Sequence, residues 1–273
     1  MTTTAAPSVA TRHGNYVDLG GVRTYYEETG TGDPVVLLHG GLCTAETFDH
    51  QTAALSAHYR VLVPERFGHG HTADIAGPIT YESMTQHTVA FIDALNIGPV
   101  ELVGWSDGAL IGLMVALRRP KLVRKLVLID QFITLGDAPD GYIEMLQRLS
   151  VSDLPPFIAD AYGAASPDGP EHLEVVLDKL RHEWLRPTGV ELADLAHVAA
   201  PTLVLAADGG GVTLEHAAAI QSALPDCEVA IVPGTSHALF MEKPELVNAL
   251  LLDFLAEGRA EKLLTIDTNQ EES

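Results

Sequence analysis

Eight short apolar runs punctuate the chain, and the pattern around them changes after the second. Tyr16 to Leu19 and Val22 to Glu28 flank Gly20-Gly21 and mix β-branched and aromatic residues with polar ones, which predicts an antiparallel hairpin. Beyond Gly30 to Pro34 the runs become nearly continuous: Pro34 to Leu38, Arg60 to Pro64, Val100 to Gly104, Val123 to Ile129, Thr202 to Ala206 and Glu228 to Val232. Strands covered on both faces have this character, and they belong to parallel sheets. Between and after them lie stretches of helical period, Tyr81 to Leu95, Ala109 to Arg118, Leu214 to Leu224 and Pro244 to Leu255. Strand alternating with helix through right-handed crossovers predicts an α/β fold on a mostly parallel eight-stranded sheet flanked by helices.

The alternation fails once. From Gln131 to Ala200 there is no strand-like run, only helical segments that include Asp140 to Leu149, Pro156 to Tyr162 and Glu171 to Leu185. A structureless loop of that length does not suit a compact domain, so the stretch reads as a helical insertion over the strand ends. The organisation expected is an α/β core of residues 15–132 and 200–258, a helical cap of residues 133–199 inserted after the sixth strand, a loose N-terminal segment of residues 1–14 and a polar tail of residues 259–273.

Composition narrows the partners rather than the fold. Asp and Glu number 37 against 16 Lys and Arg, a formal net charge of −21 over 273 residues. Such a surface repels phosphate backbones and anionic lipid heads, which argues against nucleic acid and membrane partners. No apolar run approaches the ~18 residues of a spanning helix. Cys43 and Cys227 are too few for a disulfide framework, and Met1 to Thr11 lacks the basic and apolar regions of a signal peptide, so a reducing cytoplasm is the expected compartment.

Candidate chemistry centres on Gly104-Trp105-Ser106-Asp107-Gly108, which fits G-x-S-x-G with an apolar strand before it and a helix after it. A serine on so tight a turn needs small flanking residues and stands out at the sheet end within reach of a base; a chance turn with a capping serine is the bland alternative, and the strand-turn-helix context disfavours it. The base expected for Ser106 is His237, in Gly234-Thr235-Ser236-His237 directly after the last strand. His39-Gly40-Gly41 follows the third strand, and the backbone N–H of Gly41, together with that of Asp107 at the helix N-terminus, makes a two-donor oxyanion hole. His69 and His71 lack further ligands at metal spacing and read as loop residues, so neither a metal nor a cofactor is expected. Trp105 reads as core or pocket wall, and Cys43 as a small buried apolar residue.

From Tyr16 to Leu255 the chain resembles the α/β-hydrolase fold superfamily, in particular its serine-nucleophile, esterase-like and lactonase-like members. The resemblance is carried by His39-Gly40-Gly41, Glu65-Arg66-Phe67-Gly68-His69-Gly70, the Ser106 elbow, the strand opening at Pro201 and Gly234 to His237. It implies that the insertion after strand six is a cap that shapes substrate choice. Phe67 stands where an arginine is common, a change of loop packing rather than chemistry. Members commonly end strand seven with Gly-Asp-x-Asp, whose second acid orients the histidine, whereas here Ala207-Asp208-Gly209-Gly210-Gly211 puts Gly210 at that position. Two candidates for the acid remain: Asp130, ending strand six, where certain haloalkane dehalogenases and zearalenone lactone hydrolases carry theirs, and Asp208, two residues before Gly210. The vacant regular position puts Asp130 ahead of Asp208.

The function expected is hydrolysis of a small, largely apolar carboxylic ester or lactone through an acyl-enzyme. Ser106 attacks, His237 takes and returns the proton, Asp130 or Asp208 holds the imidazole, and Gly41 and Asp107 stabilise the oxyanion. A basic pocket in the cap near Arg181 or Arg186 leaves room for an anionic substrate. The alternative is a ligand-binding or non-hydrolytic protein with a degenerate triad, and Gly210 is what supports it. Dehalogenase and epoxide hydrolase chemistry is disfavoured, because those relatives carry a carboxylate where this chain has Ser106.

Overall fold

Two antiparallel strands, β1 (Gly14–Leu19) and β2 (Val22–Thr29), begin the sheet in a computed structural model that describes residues 14–258 and Leu263. The segments expected to be loose, 1–14 and 259–273, lie outside the described residues apart from Gly14 and Leu263. Gly14 itself belongs to the sheet, paired with Glu27, so the first strand starts two residues earlier than its apolar pattern indicates.

The parallel strands follow as β3 (Pro34–Leu38), β4 (Arg60–Pro64), β5 (Val100–Trp105), β6 (Val123–Ile129), β7 (Thr202–Ala207) and β8 (Cys227–Val232). Their spatial order is β1-β2-β4-β3-β5-β6-β7-β8, with β2 antiparallel to β1 and β4 and every other pairing parallel. Every residue of β5 and β7 is buried, as their mostly apolar runs require, and the one charge among them, Glu101, is paired with Arg124. Because strand side chains alternate, one sheet face presents Val36, Leu38, Leu62, Leu102, Leu126 and Leu128 and the other Val35, Leu37, Val61, Val63, Val103 and Val127. Helices α2 (Tyr81–Leu95) and α3 (Asp107–Arg118) supply residues to the first core, and α1 (Asp49–Leu55) and α9 (Pro244–Leu255) to the second.

Between β6 and β7 the chain forms α4 (Tyr142–Arg148), α5 (Pro156–Ala165) and α6 (Leu173–Trp184), linked by single 3₁₀ turns. Leu173, Val176, Leu177 and Leu180 make the i, i+3, i+4, i+7 stripe that α6 buries. An ion-pair knot fastens this insertion to the loop after β4: Lys179 Nζ donates to Asp74 Oδ2 at 2.6 Å, and His172 Nε2 meets the same oxygen at 2.9 Å. The remaining helices are α7 (Leu214–Ala223) and α8 (Leu239–Glu242). Among the described residues no helix is long and apolar enough to cross a membrane.

The topology determines where a ligand fits. β3 lies between β4 and β5, so the chain turns one way after β3 and crosses to the other side for β5. Connections that diverge at such a switch point leave a crevice at the carboxyl ends of the strands. Both Gly40-Gly41 and Ser106 leave the sheet there.

Candidate active site

Ser106 sits between β5 and α3 with φ 54° and ψ −126°, a region few non-glycine residues occupy. Its neighbours explain how the turn closes. A Cβ on Gly104 would lie 2.2 Å from Gly108 O, and one on Gly108 would lie 1.9 Å from Leu38 O, so strand, elbow and helix meet only if both flanking residues lack side chains. The Ser106 N–H donates to Ile129 O at 3.1 Å, anchoring the strained residue to the end of β6. Trp105, expected as a pocket wall, also makes a polar contact with the loop after β8. Its Nε1–H donates to His237 O at 2.8 Å while its ring packs against His237 and Phe240.

His237 follows β8, and its Nδ1 meets Asp130 Oδ2 at 2.7 Å. Since an ionised carboxylate only accepts, Nδ1 carries the proton and Nε2 is left as the basic nitrogen. Asp130 is 1% exposed and takes φ 47° directly after β6, a left-handed conformation that aspartate tolerates better than most residues. Its Oδ1 accepts from Ala207 N at 3.1 Å and its Oδ2 from Gly211 N at 2.7 Å, so three donors hold the carboxylate in place. Asp208 is exposed and elsewhere engaged; its Oδ1 accepts from Thr235 N at 3.1 Å, and backbone N–H groups of Gly234 and Thr235 lower its pKa. Among the described residues no hydrogen bond joins Ser106 Oγ to His237; the structure brings His237 to Asp130 and, through Trp105, to the elbow.

The glycine at the position of the missing acid now has a physical reason. A Cβ on Gly210 would fall 2.4 Å from Asp130 Oδ1 and 2.5 Å from Oδ2, so the space beside β7 is filled by a carboxylate that arrives from β6. Gly210→Ala is therefore expected to push Asp130 off its three donors and lower kcat by at least about 10²-fold, toward the ~10⁴-fold that a lost orienting acid costs. Steady-state ester kinetics on this variant check it, and wild-type kcat would mean that the carboxylate position is unimportant.

The two backbone donors expected for the oxyanion are those of Gly41 and Asp107. Among the described residues neither the Gly41 nor the Asp107 N–H is spent on a protein acceptor. Gly41 is close to both the elbow and the insertion, since a Cβ there would meet Asp107 Oδ2 at 2.7 Å and the Trp184 ring at 2.5 Å.

In comparison with known proteins, the model of the alpha/beta hydrolase family matches residues 35–250. The chain belongs to that family. It is 29% identical over 267 residues to 2-hydroxy-6-oxo-6-(2'-aminophenyl)hexa-2,4-dienoic acid hydrolase of Metapseudomonas resinovorans, covering 88% of this chain and 90% of the relative. Among solved structures, a serine hydrolase involved in carbazole degradation superposes with TM-score 0.75 at 27% identity, over 90% of this chain and 99% of the other. A carboxylesterase from Bacillus subtilis shares the fold at TM-score 0.75 and 20% identity, over 92% and 93% of the two chains.

In this α/β-hydrolase the insertion reaches the elbow through contacts that no sequence motif announces. The side chain of Asp107 is buried; Tyr81 OH donates to its Oδ1 at 2.8 Å, and Trp184 Nε1–H lies 3.0 Å from each oxygen. Glu183 Oε1 accepts from Tyr81 N at 2.8 Å, a second link between α6 and α2. The basic residues singled out in the insertion are committed elsewhere. Arg181 donates to Leu149 O and Asp178 Oδ1, and Arg186 lies on the surface beside Glu183, so neither is placed to form the basic pocket that the sequence leaves open near them. A cavity of about 200 Å³ opens between α5 and the loop after Gly41, lined largely by Leu42, Cys43, Phe157, Ile158 and Met241, with Glu46 and Asp49 at its wall.

The remaining loop residues are structural. Glu65 is fully buried and clamps the two loops at the strand ends, accepting from Ala45 N at 2.9 Å and from His71 N at 2.6 Å. Its hydrogen bond raises the His71 pKa. Burial, reinforced by Arg66, takes the pKa of His69 down to about 3, and burial takes the Cys43 thiol up to about 12. His69 is left neutral and weakly basic, and the Cys43 thiol stays protonated, so no thiolate nucleophile forms at neutral pH.

Proposed function

We propose that this family member hydrolyses small, neutral, largely apolar carboxylic esters or lactones in the cytoplasm through an acyl-enzyme, with no cofactor. The observation that carries the reading is the 2.7 Å contact between His237 Nδ1 and a buried Asp130 carboxylate beside the strained Ser106 elbow. In this reading His237 Nε2 removes the Ser106 proton as Oγ attacks the carbonyl, and the N–H groups of Gly41 and Asp107 receive the developing oxyanion. Collapse of the tetrahedral species expels the alcohol with the proton returned by His237. Water, activated by the same imidazole, then frees the acid. Helices α4 to α6 act as the cap, and the apolar cavity beside α5 accommodates one arm of the substrate.

Two features favour a neutral substrate. The carboxylate of Asp107 borders Gly41, and Arg181 and Arg186 are occupied within the insertion. The non-hydrolytic alternative drew its support from Gly210, and Asp130 in the space beside Gly210 removes that reason. The relative from Metapseudomonas resinovorans is named for a dienoic acid, so a carbon–carbon hydrolase is the competing reading. A substrate panel separates them: turnover of p-nitrophenyl butyrate and of neutral lactones, with little turnover of 2-hydroxy-6-oxo-dienoates, is the expected result. Rapid dienoate cleavage with inert esters would overturn it.

A further inference from the structure

Among the described residues the largest fully buried side chain is a cation that the triad does not explain. Arg66 is 1% exposed, makes no ion pair within 4 Å among the described residues, and keeps Nε and Nη1 without a hydrogen-bond partner among them. A guanidinium withdrawn from water at this cost is retained for a reason other than stability, since burial of an incompletely partnered charge is unfavourable. Burial lowers its pKa only to about 10, so it stays charged at neutral pH.

Its Nη2 makes two contacts, with Gly40 O and with His39 Nδ1, the latter 3.1 Å away. Nη2 donates to Gly40 O at 3.1 Å. The same oxygen accepts from His39 Nδ1 at 2.7 Å and from Cys43 N at 3.4 Å. The tautomer of His39 follows from both ring nitrogens: the Arg66 backbone N–H donates to Nε2 at 3.3 Å, and Nδ1 lies closer to Gly40 O, at 2.7 Å, than to Arg66 Nη2, at 3.1 Å, so the ring proton is on Nδ1 and points at Gly40 O. Burial and the neighbouring Arg66 charge hold this imidazole neutral. Gly40 O therefore collects a ring N–H, a backbone N–H and a formal positive charge.

The other end of that amide is the Gly41 N–H, and in a trans peptide it points away from the carbonyl. We propose that Arg66 is a positioning residue for the oxyanion hole, orienting and polarising the Gly40–Gly41 peptide so that the Gly41 N–H is a stronger donor to the tetrahedral oxyanion. Donors on a carbonyl strengthen its N–H by roughly 10–30% per bond, and a charged donor in a dry interior does more than a neutral one. The cation has a second effect. The Asp107 carboxylate lies against Gly41 and opposes negative charge developing there, and Arg66, which is electrostatically coupled to Asp107, offsets that field.

This inference rests on the hydrolase reading, and the test keeps the two apart. Kinetics with p-nitrophenyl butyrate and inhibition by an alkyl trifluoromethyl ketone, whose adduct with Ser106 carries the oxyanion, are measured for wild type, Arg66→Met, Arg66→Gln and Arg66→Lys. Arg66→Met is expected to lower kcat about 10- to 100-fold, below the 10²–10³ of deleting a direct donor, with KM within about twofold and ketone affinity reduced by the same factor as kcat. Arg66→Lys, which keeps the charge, should retain at least about fivefold more kcat than Arg66→Gln, and this comparison decides the matter if the methionine variant does not fold. Unchanged kcat in Arg66→Met, equal kcat in the Lys and Gln variants, or a fall in kcat without loss of ketone affinity each overturns the proposal. Wild-type protein inert toward both ester and ketone defeats the hydrolase reading instead, and this proposal with it.

Discussion

Asp130→Asn is expected to lower kcat about 10⁴-fold, while Asp208→Asn leaves turnover close to wild type. The reason lies in the donors around Asp130. Three N–H groups converge on its two oxygens, from Ala207, Gly211 and His237. An asparagine must turn its NH₂ toward one side. Facing Ala207, it opposes a backbone donor; facing Gly211 and His237, it opposes a second backbone donor and forces the imidazole proton onto Nε2, where it cannot accept from Ser106. In either orientation the negative charge that stabilises the imidazolium in the transition state is gone. Asp208 differs because an asparagine oxygen accepts from Thr235 N as well as the carboxylate does. Steady-state kinetics on the two variants, with melting temperatures to verify folding, check this. An inactive Asp208→Asn beside an active Asp130→Asn would reverse the assignment.

Much of the architecture was legible because burial on both sides of a parallel sheet leaves a direct imprint: β5 and β7 are mostly apolar, interrupted only by Glu101 and by Thr202. Helix α1 left no such imprint. It buries only Gln51 and Leu55, and Gln51 is held by its Nε2 donating to Phe240 O and Asn248 Oδ1, a polar anchor that hydrophobic periodicity cannot register. The elbow was readable from spacing alone, since Gly104 and Gly108 are demanded by contacts a few residues away in sequence and in the adjacent β3 loop. The acid was readable only as a pair of candidates. What separates them, the left-handed backbone of Asp130 and the missing Cβ of Gly210 beneath its carboxylate, exists only after β6 and β7 are side by side. The same holds for Asp107, Tyr81 and Trp184, whose hydrogen bonds join positions 26 and 77 residues apart, and for Arg66, which sequence offers merely as a loop residue.

The second large effect concerns the nucleophile. In the proposed mechanism Ser106→Ala removes the atom that would form the acyl-enzyme, and because nucleophile and base act as one unit the loss is expected to approach the ~10⁶-fold seen when a serine triad loses its serine. The fold should survive, since Ser106 Oγ takes no part in the hydrogen bonds that hold the elbow, which run from its backbone to Ile129 O and from Ala109 N to its carbonyl. The measurement that bears most directly on a Ser106–His237–Asp130 hydrolase is labelling of the folded protein with a fluorophosphonate, followed by peptide mapping. Stoichiometric phosphonylation at Ser106, absent in Ser106→Ala and strongly slowed in Asp130→Asn, is the result predicted. Folded wild-type protein that takes up no label, or takes it up at another residue with Ser106 unmodified, would contradict the account.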